Sequence, residues 1–336
     1  MSMNIDFDYS AIKAYQGYLL DNDELLKSSS GGASRALSNA VLNDGGTVFG
    51  VIYSSDFYKA HYFCVKEKSD IDKIVGSKYI FTQKRLIYEG QDISVYNAIE
   101  KELSKGIIVL FFGLPCDCAA IKKYCTINSI DMSMLYLVDL ICLGPTYPYM
   151  QELYLKRLEK QYNSKVKSFT VRYKKKGWTP FYVKIVFENT KTHIDTFFDT
   201  DFGFAFSNCV RPCCYNCKFK GSEHKADITI GDFWGQDKSD KKYNKNGVSA
   251  MLALTEKGDH LIRKIDSLEF SVFQADIERI LENNSMYYKP REKYNNRDVF
   301  KSNIDRFGLH KAVIKEIGLL KYYYRKIRAY IRNRLR

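Results

Sequence analysis

Cys209, Cys213, Cys214 and Cys217 fall within nine residues of the run Asn208-Cys-Val-Arg-Pro-Cys-Cys-Tyr-Asn-Cys217. Thiolates crowded on one loop hold a soft metal or oxidise one another. Within this run Cys214 and Cys217 have the two-residue spacing that lets both sulfurs face one ion or one cluster. Four ligands can be assembled in two ways. A local set takes Cys209, Cys213 or Cys214, and Cys217, and favours zinc. His224 lies close enough in sequence to be a minor zinc candidate, with a surface histidine the plainer reading. A distributed set joins one Cys-x-x-Cys pair to two cysteines from elsewhere. Cys116 and Cys142 each end an apolar run and enter a turn with Gly and Pro, so both could point into one crevice at a sheet edge. Strand ends of α/β sheets are where cofactors commonly sit. The competing reading makes Cys116 and Cys142 ordinary buried thiols.

Three further segments have types that suit a ligand. Ser28-Ser-Ser-Gly-Gly32 opens the second half of a helical stretch, where backbone N–H groups and hydroxyls suit a phosphate. Ser-rich helix caps are also common without any ligand. Gly76-Ser-Lys-Tyr79 offers Lys78 to a phosphate or a flavin carbonyl, or simply to solvent. In Ala226-Asp-Ile-Thr-Ile-Gly-Asp-Phe-Trp-Gly235, Asp232 and Trp234 would line a pocket, against the alternative of a strand-end Asp capping its turn. There is no Gly-x-Gly-x-x-Gly after the first strand, no Walker loop and no Gly-x-Ser-x-Gly elbow.

The elements that must position these residues follow from pattern. The chain to about Asn22 reads as a loosely held arm, and Asp23 to Ala40 as helix interrupted by Ser28–Gly32. Thr47–Tyr53 is a β-branched and aromatic strand after two glycines, with His61–Lys66 its neighbour. Ile107–Phe112 and Leu135–Cys142 are unbroken apolar runs, the kind buried on both faces. Helices are expected over Val95–Lys105, Cys118–Tyr124, Tyr149–Tyr162 and Asp259–Ile265. Lys167–Tyr173 and Phe181–Glu188 alternate like antiparallel strands around the basic turn Lys174–Gly177, and Ser249–Leu254 is a further strand. The mixture predicts an α/β to α+β fold: a mixed sheet core with helices, a cysteine-bearing loop insertion and a basic amphipathic C-terminal helix. The expected division is an arm over 1–22, a main domain over 23–305 and a tail over 306–336.

At 336 residues, with 45% hydrophobic and 27% charged content, the composition is that of a globular protein with an ample core. The start of the chain does not read as a signal peptide, and the most apolar stretch is far shorter than the roughly 20 residues of a membrane span. Nine cysteines without such a signal point to reduced thiols in a cytoplasmic protein. The net charge of +13 is concentrated in the tail, where nine Lys/Arg from Gly308 to Arg336 face the single acid Glu316, 9 − 1 = +8. Ile317, Leu320, Tyr324, Ile327, Ile331 and Leu335 step by three or four and share one helical face flanked by those cations. That pattern fits an anionic membrane surface on the inner face of the cell membrane; an apolar stripe would be wasted on nucleic acid. A helix packed on the main domain is the other reading.

Taken in order, Lys27-Ser-Ser-Ser-Gly-Gly-Ala33, Gly76-Ser-Lys-Tyr79, Phe112-Gly-Leu-Pro-Cys-Asp117 and Asp139-Leu-Ile-Cys-Leu-Gly144 resemble the coenzyme F420 hydrogenase/dehydrogenase beta-subunit family. Arg211–Gly221, Ala226–Gly235 and Gly247-Val-Ser249 complete the set. The resemblance implies a flavin (FAD, with FMN the alternative) beside a 4Fe–4S cluster. It places the cluster ligands at Cys116, Cys142, Cys214 and Cys217, and the flavin at Ser29, Ser30, Gly31, Gly32, Lys78 and Trp234. Lys78 and Asp232 are the expected catalytic positions. Two departures stand out. Nothing before Cys64 is a cysteine, so the ferredoxin-like module of many members is missing and a separate ferredoxin-like donor is expected. Leu143 occupies the place of the usual histidine. Members of this shape resemble proteins of polysaccharide biosynthesis, which implies a sugar or nucleotide-sugar acceptor. The reading from a different class is a zinc-stabilised, membrane-associated scaffold without redox activity.

Overall fold

The computed structural model describes residues 7–266 and 269–335. Its strands are β1 (Lys13–Leu19), β2 (Thr47–Tyr53), β3 (Ala60–Val65), β4 (Thr82–Gln83), β5 (Arg85–Tyr88), β6 (Gln91–Ser94) and β7 (Val109–Gly113). They continue as β8 (Leu135–Leu140), β9 (Val166–Tyr173), β10 (Tyr182–Phe187), β11 (Thr192–Thr196), β12 (Ile228–Asp232), β13 (Ser249–Ala253) and β14 (Phe270–Gln274). The helices are α1 (Asn22–Lys27), α2 (Ala33–Asn43), α3 (Ile71–Ile74), α4 (Val95–Ser104), α5 (Pro115–Ile127) and α6 (Pro148–Tyr162). After them come α7 (Asp201–Asn208), α8 (Glu256–Lys264), α9 (Ile277–Asn283), α10 (Arg297–Phe307), α11 (Leu309–Ile317) and α12 (Leu319–Leu335).

Nine strands form one mixed sheet in the order β14-β1-β13-β12-β8-β7-β2-β3-β4. Its centre, β12-β8-β7-β2, is parallel throughout. Of these, β7 and β2 are nearly unbroken apolar runs. All five residues of β7 are buried, as a strand covered on both faces must be. Covering one such Phe or Leu contributes about 1.5–3 kcal/mol. Strands β9, β10 and β11 make a separate antiparallel sheet, and β5-β6 a hairpin. The fold is therefore α/β to α+β around a mixed sheet.

Two expectations need correction. The N-terminal arm is not loose over Lys13–Leu19: β1 lies inside the sheet, antiparallel to both β13 and β14. Its sequence hides this because Gln16 and Gly17 are among the covered residues. Gly17 is required there, since a Cβ would stand 2.4 Å from the Phe270 ring and from the Ser271 carbonyl. Residues 1–6 of that arm lie outside the described residues. The tail is not a unit apart either. Gly308 and Gly318, at φ +80° and +83°, break it into short helices. Leu309, Ala312 and Val313 of α11 are buried in the same apolar cluster as Phe300 and Ile304 of α10. Ile317 packs against that cluster too, so the apolar stripe begins only at Leu320.

Candidate functional site

The parallel strands deliver the predicted residues to one edge of the sheet. Cys116 follows the C-terminal end of β7 at the start of α5, Cys142 follows β8, and Asp232 closes β12 ahead of Trp234. The Ser28–Gly32 segment links α1 to α2 at the same edge. Leu19 N–H donates to the Gly31 carbonyl at 2.8 Å, and Ser30 Oγ donates to the Val248 carbonyl at 2.9 Å. This is the end at which open α/β sheets hold ligands.

The thiols expected as ligands act on one another in part. Removal from water pushes Cys214 up to about 12, and Cys213, Cys142 and Cys217 add to the rise because thiolates there would repel it. Desolvation likewise pushes Cys116 up to about 12, followed by Asp117, Cys142 and Cys217, with Lys84 opposing. Cys142 is raised by burial, eased by Lys220 and by the Gly144 N–H, and raised again by Cys217. Cys142 and Cys217 thus act on both Cys116 and Cys214, thiols of different chain segments.

Local geometry explains the approach. Pro212–Cys214 forms a tight 3-10 turn, with Cys214 N–H donating to the Arg211 carbonyl at 3.0 Å. Gly144, at φ +91°, lets the turn after Cys142 lie directly on Cys214. A Cβ there would stand 2.9 Å from Cys214 Cβ and 3.1 Å from its Sγ. The Gly144 N–H also donates to Cys142 Sγ at 3.2 Å, a bond that favours the thiolate.

Of the other candidates, Cys209 and His224 stand apart. Cys209 is fully buried in an apolar cluster; that burial raises its thiol, Arg297 and Lys301 lower it, and among the described residues no other thiol acts on it. Cys213 is exposed, as Cys116 is, and lies against Cys214 on the same turn. His224 is neither a ligand nor a surface group. Its Nδ1 lies 2.7 Å from Asp139 Oδ2, its Nε2 lies 3.3 Å from the Tyr287 carbonyl, and its ring stacks on Tyr287. Among the described residues no three His, Cys, Asp or Glu side chains stand close enough for a single metal ion. Two cations stand by these thiols: Lys220, whose Nζ donates to the Cys142 carbonyl at 2.6 Å, and Arg291, which also feels Cys142 and Cys214.

At the same sheet edge stands a cluster of desolvated cations. Arg172 donates to both carboxylate oxygens of Asp232, at 3.0 and 2.9 Å, to the Ser29 carbonyl at 2.9 Å and to Tyr79 Oη at 3.2 Å. Trp178 Nε1 donates to the same carboxylate at 3.2 Å, and its ring lies parallel to Trp234 at 4.5 Å. Asp232 is thus fully engaged as an anchor rather than a free base. Lys174 Nζ donates to the Leu25 and Ser30 carbonyls, both at 2.6 Å, and Lys78 Nζ to the Ile74 and Val75 carbonyls, both at 2.9 Å. Desolvation pulls each lysine down to about 7. Neither has an ion pair with a carboxylate among the described residues. Ser77 Oγ donates to Ser29 Oγ at 2.9 Å, which ties the Lys78 segment to the serine loop. The same segment runs on to the cysteine side, where Ile80 bridges to Thr146 and Thr146 to Val210.

Sequence reading missed Arg172, Lys174 and Trp178, because Arg172-Tyr-Lys-Lys-Lys-Gly177 has the look of a solvated basic hairpin. The pattern of β9 carries no signal for Arg172: alternation calls for one of Val171 and Arg172 to face water, yet both are buried.

A mixed sheet with cysteines, desolvated cations and Asp232 at the ends of its parallel strands has the form of an α/β protein that holds its ligands at that edge. The sequence profile of a family described as the C terminus of the coenzyme F420 hydrogenase/dehydrogenase beta subunit matches residues 108–275, half of the chain. The chain belongs to that family, which ties it to redox chemistry. The matched span holds all four thiols together with Arg172, Lys174, Asp232 and Trp234; Ser29–Gly32 and Lys78 lie before it. Among solved structures the chain is similar to one from the F420-reducing [NiFe] hydrogenase complex of Methanosarcina barkeri, studied by xenon derivatisation. The TM-score is 0.53 at 17% identity, over 81% of this chain and 89% of that one, a likeness of fold. No curated protein matches by sequence.

Proposed function

We propose that this chain is an iron–sulfur flavoprotein that carries electrons from a ferredoxin-like protein to an organic acceptor. The observation that carries the reading is the placement of Cys116 and Cys142 beyond the ends of adjacent parallel strands, with the turn after Cys142 lying directly on Cys214 and desolvated cations at the same edge. Cys116, Cys142, Cys214 and Cys217 would hold a 4Fe–4S cluster. Ser29, Ser30, Gly31, Gly32, Lys78 and Trp234, joined by Arg172 and Lys174, would hold a flavin, FAD or FMN, whose phosphate supplies the anion the two lysines lack. When bound, the pair of cofactors would supply one-electron relay on one side and two-electron transfer on the other. The chain's own residues hold and tune. Lys220 and Arg291 offset negative charge at the thiols, and the Gly144 N–H favours the Cys142 thiolate. Asp232 fixes the Arg172 guanidinium and the Trp178 indole in place. Lys78 presents a proton whose affinity desolvation has lowered to about 7, the range in which a side chain can give and take protons near neutrality.

A protein donor is in keeping with the similar M. barkeri chain, which is part of a hydrogenase complex. A sugar or nucleotide-sugar acceptor of polysaccharide biosynthesis is supported by sequence resemblance alone. The test is the cofactor content of protein isolated without oxygen. Iron, acid-labile sulfide and flavin in the same preparation, with broad visible absorbance, are expected. Colourless protein carrying stoichiometric zinc would replace this reading with the scaffold.

A further inference from the structure

Helix α12 has two sides with opposite surroundings. Tyr322 and Ala329, two turns apart, are buried. Tyr322 Oη donates to Asp201 at 3.2 Å, Lys326 Nζ to Asp195 at 2.8 Å, and Arg325 to the Phe198 carbonyl at 2.8 Å. These contacts fasten one side of the helix to the end of β11, the turn beyond it and α7. On the opposite side stand Leu320, Tyr324, Ile327 and Ile331, at spacings of four, three and four, which are 88%, 65%, 58% and 47% exposed. Leu319 and Tyr323 are more than half exposed beside them. The stripe expected from sequence therefore faces outward; the side chain of Leu335 lies outside the described residues. Lys321 and Arg328 flank the stripe in solvent. The helix carries six cations, Lys321, Arg325, Lys326, Arg328, Arg332 and Arg334, and no acid. Among the described residues no helix is long and apolar enough to cross a membrane.

We propose that the outward face of α12 seats on an anionic phospholipid surface. Leu320, Tyr324, Ile327 and Ile331 enter the boundary between headgroups and acyl chains, and Lys321 and Arg328 meet lipid phosphates. Charge selects this occupant. A second copy of the helix would set six cations against six with no acid between them. A nucleic acid would satisfy the cations and leave four large apolar side chains in water. Only an anionic surface with an apolar interior satisfies both. The inner side of α12 stays fastened throughout, so the helix lies flat and need not detach.

The experiment is co-sedimentation of the full chain with phosphatidylcholine vesicles, with and without phosphatidylglycerol. Binding is expected only with phosphatidylglycerol, and it should weaken as salt rises. Leu320→Gln and Ile327→Gln should each weaken it about tenfold, the loss of one partly buried aliphatic side chain. Arg328→Gln should weaken it about fivefold. A thermal melt confirms that the variants are folded, and the assay reads the chain whatever its iron or flavin content. Equal binding to neutral vesicles, or undiminished binding by the Leu320→Gln/Ile327→Gln variant, overturns the proposal. So does a dimer that this variant abolishes, duplex DNA bound equally by both forms, or a preference for polyglutamate over vesicles.

Discussion

Positive charge is treated in opposite ways at the sheet edge and on α12. Arg172 and Lys174 are 8% and 6% exposed, whereas Lys321 and Arg328 stand in water. A solvated cation costs the fold almost nothing and says only what the surface attracts. A cation taken out of water persists only with partners. Arg172 has Asp232; Lys174 and Lys78 have backbone carbonyls, and burial pulls both down to about 7. The interior cations therefore mark a place where an anionic ligand would complete the balance, and the exterior ones mark a docking face.

The contrast can be broken first at its strongest interior pair. Asp232→Ala strands the Arg172 guanidinium and should destabilise the protein by about 3–5 kcal/mol in urea unfolding. Adding Arg172→Met should recover most of that loss. A double variant no better than the single would mean that the two residues do not form a closed unit.

A well-partnered buried acid gives a middle case. Burial would raise Glu102, yet hydrogen bonds from Thr47, Tyr88 and Lys66 hold it at about 2, below its ordinary 4.5. A carboxyl lowered in the folded state stabilises above its unfolded value and loses that contribution as pH falls from 4.5 toward 2. Glu102→Gln should flatten this part of the acid-denaturation curve and remove about 1–3 kcal/mol at neutral pH.

The buried lysines have the opposite sign. Unfolded chain keeps the lysine proton up to about 10.5, while the folded form sheds it near 7. The unfolded state thus binds more protons in that window, and stability of flavin-free protein should rise with pH across it. Lys174→Met should reduce the slope. Flavin uptake by the same protein should run the other way and weaken above pH 7 as the ammonium of Lys78 is lost.

The smallest effect belongs to the exterior. Lys321→Gln and Arg328→Gln should change stability by no more than about 0.5 kcal/mol in the same urea titration. A larger loss would show that these cations hold the fold and would erase the distinction.

How much of this was legible depended on how locally each feature is written. Strands β7 and β8 declare themselves as apolar runs, and the turns that end them place Cys116 and Cys142 at one edge. Cys214 and Cys217 are two residues apart, and the stripe and cations of α12 repeat along a single helix. The remainder arises between distant segments. Strand β1 is held by neighbours more than two hundred residues away and carries a buried Gln16 and Gly17 that no strand pattern favours. Arg172 meets Asp232 across 60 positions, so its charge looked solvated. His224 looked like a surface residue because Asp139, 85 positions earlier, is its partner.

The central claim is that sulfurs from three segments share one cluster. Cys116→Ser, Cys142→Ser and Cys214→Ser, each isolated without oxygen beside Cys209→Ser and Cys213→Ser, should be compared for iron and sulfide content. About four irons per chain are expected in the unaltered protein, with loss of most of that iron in each of the first three variants and retention in the last two. Full iron in Cys116→Ser or Cys142→Ser, with loss in Cys209→Ser, would contradict the claim.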